Sequence, residues 1–337
     1  MLPPVYTLWM ARTLGIFSVA EQSTASLAAH SLNALDRPLR VGAELWVAVA
    51  KDDATLLGAF GRGVGTPLAW RLERRGSGGP IVHVGPETIH VALSMAHPGV
   101  LFDADHRRIV NRSVRPLLRA LTLFTPGAYY FGRDWVAVAH RPAAWVGFGH
   151  DTATGRTLFE AFVAVSVPFA TGAMTSSLGK APTTLTAIVG HALDPTAIAH
   201  AIVESYARGT DPVVVDALPE ACPVAQPRPN PSDDPPWAAT RIEAIGVVGA
   251  GPDATGTFRV GGDLLVSRDA LRRLEARVVS AGDEAAIVRA VNEELGAGRA
   301  ALDGVRTLES VADVIARARG CDRQPNRSRS FPTNERR

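Results

Sequence analysis

Two arginines, Arg74 and Arg75, stand directly before a run of small residues, Gly76-Ser77-Gly78-Gly79, and two alternating apolar runs follow at 81–85 and 88–94. A turn without Cβ atoms lets its backbone approach a ligand closely. Successive amide N–H groups in such a turn form a concave nest for an anion. An adjacent arginine adds charge and a bidentate fork for carboxylate or phosphate. The chemistry these residues suit is the holding of an anion. The plainer reading is a hairpin loop with two solvated arginines, a common use of glycine, and on this stretch alone it is the favoured one.

Few other groups compete. Only Lys51 and Lys180 among the cationic side chains are lysines, so a mechanism that needs a lysine has two candidates. Lys51 reads as a solvated residue of the turn Lys51-Asp52-Asp53, and Lys180 sits in a loop at 174–184. Cys222 and Cys321 are far apart, which argues against a disulfide framework or a cysteine zinc site, and no metal-ligand spacing stands out. His83 and His90 fall on the strands after the turn, where histidine is more often packed than catalytic, and no Ser/His/Asp arrangement is visible.

The elements that must position these residues are legible in outline. Ser18 and Glu21 fit a capping box for an Ala-rich helix to about Asn33, ended by Arg37-Pro38. Strands are expected at 45–50 and 55–60, and 61–67 is a loop into the arginine pair. Residues 97–109 are polar and irregular. A helix follows at 114–124, with Pro116 tolerated in its first turn. Runs at 135–140, 145–148 and 158–167 read as strands of one sheet. Asp194-Pro195 starts a helix carrying Ile198, Ile202 and Tyr206, with Gly209 as its C-terminal cap. Seven prolines between Pro219 and Pro236 mark a linker. Beyond it come strands at 242–248 and 257–266. Three helices then follow, the first capped by Ser267, the second starting near Asp283 and the third ending before Gly320.

Composition sets the bounds. With 337 residues and 46% hydrophobic content the chain can bury a sizeable core. The net charge is +2, and the tail at 322–337 alone carries +3, so the body is near neutral and a nucleic-acid partner is not indicated. No run of 18 apolar residues suggests a membrane span, and the first residues lack the pattern of a signal peptide, so the expected location is the cytoplasm.

The string Arg74-Arg75-Gly76-Ser77-Gly78-Gly79 followed by Ile81-Val82-His83, together with the order of elements over roughly 15–210, resembles the lipoate–protein ligases and their octanoyltransferase and biotin–protein ligase relatives, the lipoate branch above all. Trp145-Val146-Gly147-Phe148-Gly149 is similar to that family's later strand with its Gly-small motif, and residues 241–320 are more weakly similar to the accessory domain of lipoate ligases. The resemblance implies an α+β fold with a mixed central β-sheet and flanking helices, plus a small α+β C-terminal domain. The expected division is 1–212 ligase-like, 213–240 linker, 241–320 accessory and 321–337 a disordered basic tail. It implies ATP-dependent transfer of lipoate or octanoate, through an acyl-adenylate, to a lysine of an apo lipoyl domain or of a glycine cleavage H-type protein. ATP would enter with Mg²⁺. Arg74, Arg75, Gly76, Ser77, Gly78, Gly79, His83 and Gly147 would line the ligand site, and Val82, Val84, Ile89 and Val91 are candidates for the wall of an acyl slot, though sheet core is the stronger reading for each.

The sequence also departs from the family pattern. Aligning on Gly147 puts Ala144 where the family has an adenylate-contacting lysine, Pro80 replaces a third turn glycine and removes an amide donor, and Glu160-Ala161 stands for His-Gly. Losing one preorganised donor costs about 3–4 kcal/mol of transition-state stabilisation. Lys180, the catalytic candidate, or Arg141 would have to supply the missing charge. Three readings stay open: a ligase with a rearranged cation set, the same fold kept as an acyl-, adenylate- or protein-binding scaffold, and an accessory subunit of a separate enzyme.

Overall fold

The computed structural model describes residues 12–63, 71–132, 134–169, 181–215, 234–243 and 245–321. Strands β1 (Thr13–Phe17) and β2 (Ala20–Gln22) lead into helix α1 (Thr24–Asn33). Next come β3 (Ala43–Ala50), β4 (Ala54–Leu57), β5 (Arg71–Arg74), β6 (Val82–Val84) and β7 (Ile89–Met95), then α2 (Ile109–Thr122). They are followed by β8 (Ala128–Tyr130), β9 (Trp135–Val138), β10 (Arg141–His150), β11 (Thr157–Val163), α3 (Leu185–Val189), α4 (Pro195–Ala207) and β12 (Asp211–Val215). The C-terminal stretch holds β13 (Ala239–Glu243), β14 (Gly246–Pro252), β15 (Phe258–Gly262), β16 (Leu265–Val266), α5 (Arg268–Val279), α6 (Glu284–Leu295), β17 (Leu302–Asp303) and α7 (Leu308–Ala318).

The strands of the main sheet run in the order β12-β1-β3-β7-β11-β10-β9-β8, with β2 also on β3. β1 pairs in parallel with β12 and β3, and β3 to β11 pair antiparallel, so the sheet is mixed. Both faces of β3 are covered, and its period of two shows it. Leu45, Val47 and Val49 enter a core with the buried faces of α2 and α4, whereas Trp46, Ala48 and Ala50 enter a second core with α1 and the small sheet β5-β4-β6. Each leucine or valine so buried contributes roughly 1.5–3 kcal/mol. A third core lies between β14, β15 and helices α5–α7. Ile245, Leu265 and Ala301 of the C-terminal stretch belong instead to the first core, so apolar packing runs through the seam. Among the described residues no helix is long and apolar enough to cross a membrane.

Several sequence expectations are displaced. The first helix begins at Thr24, not after Ser18, because Ala20–Gln22 is drawn into the sheet beside Ala48–Ala50. Ser23 caps it, its Oγ accepting the Ser26 N–H at 3.3 Å. The second helix starts earlier than expected, at Ile109, which puts Pro116 in its interior. Asp105 explains the earlier start: its Oδ1 accepts the N–H groups of Arg107 and Arg108 at 3.0 and 3.1 Å. The chain from Arg71 to Arg74 is a strand, parallel to β4, and Asp211–Val215 is another. Ser267 precedes its helix, but its Oγ accepts the Ala301 N–H at 2.9 Å instead of capping. The expected linker and tail lie mostly outside the described residues, as do Lys180 and Cys222.

Candidate functional site at the glycine turn

β9 follows β10 only as far as the pair Trp135 and Trp145, and the rest of β10 has an open edge on that side. The glycine turn lies along this edge. Gly78 forms a bridge with Phe148, donating its N–H to the Phe148 carbonyl at 2.8 Å, and two residues on His150 bridges to Ser267. The turn and the C-terminal stretch together close a ladder that would otherwise present unpaired backbone groups.

Every amide of the turn has a protein acceptor. Gly76 N–H donates to Ser31 Oγ at 2.7 Å, Ser77 N–H to Glu160 Oε2 at 3.3 Å, and Gly79 N–H to the Leu264 carbonyl at 3.0 Å. The glycines are needed because backbone comes close. A Cβ on Gly76 would lie 2.1 Å from the Ser31 carbonyl oxygen, and one on Gly78 would lie 2.1 Å from that of Leu264. The close approach expected from the sequence is real, but what approaches is the protein itself.

The two arginines have separate tasks. Arg75 is 1% exposed. Its Nε donates to Ser77 Oγ at 3.0 Å, its Nη1 to Leu56 O at 3.2 Å, and its Nη2 to Gly78 O and Pro80 O at 3.2 and 2.8 Å. The guanidinium carbon also lies 5.5 Å from the Phe162 ring centroid. Burial lowers its pKa to about 10, against the opposing charges of Glu160, Asp263 and Asp134. Arg74 is half-buried. Its Nη1 donates to the carbonyls of Gly58, Ala59 and Gly61, the last at 2.8 Å, and its Nη2 lies 3.6 Å from Asp234.

A buried ionic chain backs the turn. Glu160, 0% exposed, pairs with His90 at 2.7 Å and accepts the Ser77 N–H through its other oxygen. Burial pushes the Glu160 carboxyl up, but the His90 hydrogen bond, the charges of His90 and Arg75, and the Ser77 contact outweigh it and hold the pKa at about 2. The His90 ring stacks on Phe162, with centroids 4.8 Å apart, and meets Trp46 edge-on. Beyond Trp46 lies His30, whose pKa burial drives down to about 3 with help from the charge of Arg37. Asp263 stands across the seam. Burial raises it to about 6, although the Val247 N–H and Arg75 oppose this.

The sequence-named residues are only partly brought together. Arg74 to Gly79 and Gly147 share the turn, and a Cβ on Gly147 would fall 2.2 Å from Ser77 Oγ. His83 sits on β6 with its Nε2 3.5 Å from Asp53, and burial lowers its pKa despite that carboxylate. The acyl-wall residues are core and do not share one slot: Val82 and Val84 pack in the second core, Ile89 and Val91 in the first. Ala144 packs in the first core with Val146 and Phe148, while Trp145 belongs to the second. Arg141 donates from Nε and Nη2 to the carbonyls of Ala181 and Pro182, at 3.3 and 2.8 Å.

A cleft of about 590 Å³ opens beside the turn, between Arg74 and Gly76 on one side and β15 and α5 on the other. Leu35, Phe60, Val260 and Leu271 give it apolar walls. Its arginines are mostly paired: Arg259 with Asp253 and Glu275, and Arg268 with Asp36 and Asp151. Arg62 donates to the carbonyls of Pro235 and Gly251 and lies over Trp237. Arg272 is exposed and has no carboxylate partner among the described residues. Sequence reasoning did not single out this cleft, because much of its wall comes from residues between Asp234 and Glu275, far from the turn in sequence. Among the described residues no group of three His, Cys, Asp or Glu side chains is placed to hold a metal ion.

No family model matches the sequence, and no curated protein does. Solved structures do match. The LipL1 protein of P. falciparum, in complex with lipoate, superimposes with a TM-score of 0.57 at 10% identity, over 90% of this chain and 98% of that one. Lipoate-protein ligase A bound with ATP gives 0.49 at 12% identity, over 61% of this chain and 90% of that one. The biotin protein ligase of Leishmania major in complex with biotin gives 0.35 at 13% identity, over 73% and 97%. At such identities likeness speaks for the fold, and the first match carries it: the chain is an α+β protein with a large mixed sheet and flanking helices, the biotin/lipoate ligase-like fold.

Proposed function

We propose that the chain is a lipoate–protein-ligase-like protein that binds a lipoyl or octanoyl carboxylate without adenylating it. In this reading 1–212 form the ligase-like body and 241–320 an accessory unit that clamps the turn. The observation that carries the reading is the engagement of the turn: its four amides and the Arg75 guanidinium all have protein acceptors, and the Glu160 carboxylate lies against it. These residues do not fit a magnesium–nucleotide complex. Phosphates there would displace paired donors and meet Glu160, and the side chain at 144 packs in the core under α2 and α4. The cleft beside the turn suits an acyl carboxylate better, with apolar walls for the chain and Arg272 for the head group.

The test is the intact mass of an apo lipoyl domain after incubation with the protein, Mg-ATP and octanoate or lipoate, read beside calorimetric titration of the same acids. The expected outcome is no mass gain, with saturable binding that Arg272→Gln weakens. A mass gain would overturn the reading. One observation favours that second outcome. Thr183 N–H donates to the Pro142 carbonyl at 2.8 Å, which sets the chain that follows Lys180 in sequence against β10. If ligation occurs and Lys180→Ala abolishes it, Lys180 supplies the charge that Ala144 lacks.

A further inference from the structure

We infer that a second cleft, on the outer side of α2, is a binding site for an oligophosphate group. It has a volume of about 450 Å³ and lies between the start of β1, the chain at Leu101–Asp103, one face of α2 and the turn after α4. Among the described residues five arginines line it, Arg12, Arg112, Arg115, Arg119 and Arg208, against one acid, Asp103, which leaves +4. Arg112, Arg115 and Arg119 share one face of α2 by their spacing of three and four. The opposite face of that helix, with Val110, Val114, Leu117 and Leu121, is buried in the first core and fixes the direction in which the charges point.

None of the five has a carboxylate within ion-pair distance among the described residues, whereas Arg37, Arg74, Arg259, Arg268, Arg273 and Arg277 all have one. Among the described residues, Arg119 is the one of the five whose guanidinium has a hydrogen-bond partner, the Ser205 carbonyl at 3.1 Å. Like charges at these helical spacings are unfavourable, and Arg112 stands near the positive end of the helix dipole. The cluster therefore opposes folding unless an anion neutralises it. The floor is formed by Leu101, Pro116 and Tyr206, and the Tyr206 hydroxyl is already engaged with the Ser113 carbonyl at 2.6 Å. What remains for a ligand is a set of guanidinium forks over an apolar base, in a concavity of small-molecule size. Phosphates joined in a short chain offer several charged oxygens within that space. The site shares no lining residue with the cleft beside Arg74.

The experiment is calorimetric titration of the full chain with sodium tripolyphosphate at low and at high sodium chloride. Expected is saturable one-to-one binding that weakens with salt, falls roughly tenfold or more in Arg112→Gln/Arg115→Gln, and is unchanged in Arg74→Gln. Removing like charges should leave the double variant melting at or above the parent temperature without ligand. If that variant fails to fold, Arg208→Gln in the exposed turn carries the same expectation. Binding of adenosine triphosphate more tightly than tripolyphosphate would identify a phosphate ester as the source, within the inference. No saturable binding, loss with Arg74→Gln but not with the double variant, equal affinity for citrate, or binding of polyglutamate without tripolyphosphate would each overturn it.

Discussion

Replacing Glu160 by Gln removes one charge from the chain Arg75–Glu160–His90 while keeping side-chain volume. The folded-state pKa is about 2 against the ordinary glutamate value of 4.5. At 1.36 kcal/mol per pKa unit, that depression is about 3 kcal/mol of stability at neutral pH. Breaking a buried pair by removing one charge typically costs about 3–5 kcal/mol, the same order. The sign follows from linkage. A depressed carboxylate contributes fully above its unfolded pKa and loses its contribution as pH falls through the folded value. The gap between parent and variant should hold its full size at pH 7 and shrink to roughly half near pH 3.2. Urea denaturation at both pH values measures it. In a thermal scan at pH 7 the variant should melt lower by on the order of 6–12 °C. A gap below about 1 kcal/mol at pH 7, or the same gap at both pH values, would refute the view that this carboxylate is held ionised by its partners.

Other perturbations test the same region. Asp263 is raised to about 6, so its penalty is absent below its unfolded pKa, grows as pH rises towards the folded value and is complete above it. Asp263→Asn should therefore stabilise the protein by up to about 3 kcal/mol at pH 7–8 and flatten the slope of stability between pH 4 and 6; an unchanged slope would count against it. Gly78→Ala places a Cβ 2.1 Å from the Leu264 carbonyl and should part the seam. Hydrogen exchange should then speed up at Gly79 and around 262–267, and unchanged protection there would contradict the geometry. Ala144→Lys puts an ammonium into the core under α2 and α4, so it should destabilise by several kcal/mol and confer no ligation; a folded variant that acylates a lipoyl domain would reverse that conclusion.

The strands with β-branched and aromatic alternation, such as Ile89–Met95 and Thr157–Val163, were legible in the sequence because both faces of each needed apolar cover. So was the helix start at Asp194-Pro195, where the cap is chemically explicit and the Asp194 carboxylate accepts the Thr196 N–H. Arg71–Arg74 was not legible as a strand, since nothing apolar marks it and its parallel partner β4 supplies the pairing. Ser18 and Ser23 offer rival helix starts by local chemistry, and a sheet partner decided between them. At the site, the glycines signalled close approach, but the Leu264 carbonyl that approaches belongs to a segment nearly two hundred residues further along the chain. The Glu160–His90 pair was hidden for a related reason. The two residues lie on adjacent strands, offset in a register in which Phe162 faces His90 and Glu160 faces Ala92, and periodicity alone does not fix that offset.

The closure of the β10 edge by residues from the far end of the chain bears on biosynthesis. When the ribosome has released the body of the sheet as far as Val215, the Gly79 amide still lacks its acceptor, because Leu264 has not been made. About 50 residues separate the two points, roughly 3–10 s of synthesis at 5–20 residues per second. For that interval the nascent chain displays an unfinished ladder at His150, whose bridge partner Ser267 is also still unmade, the kind of edge that recruits strands from neighbouring chains. The dependence of this protein on chaperone capture should therefore fall on the growing chain more than on the finished one.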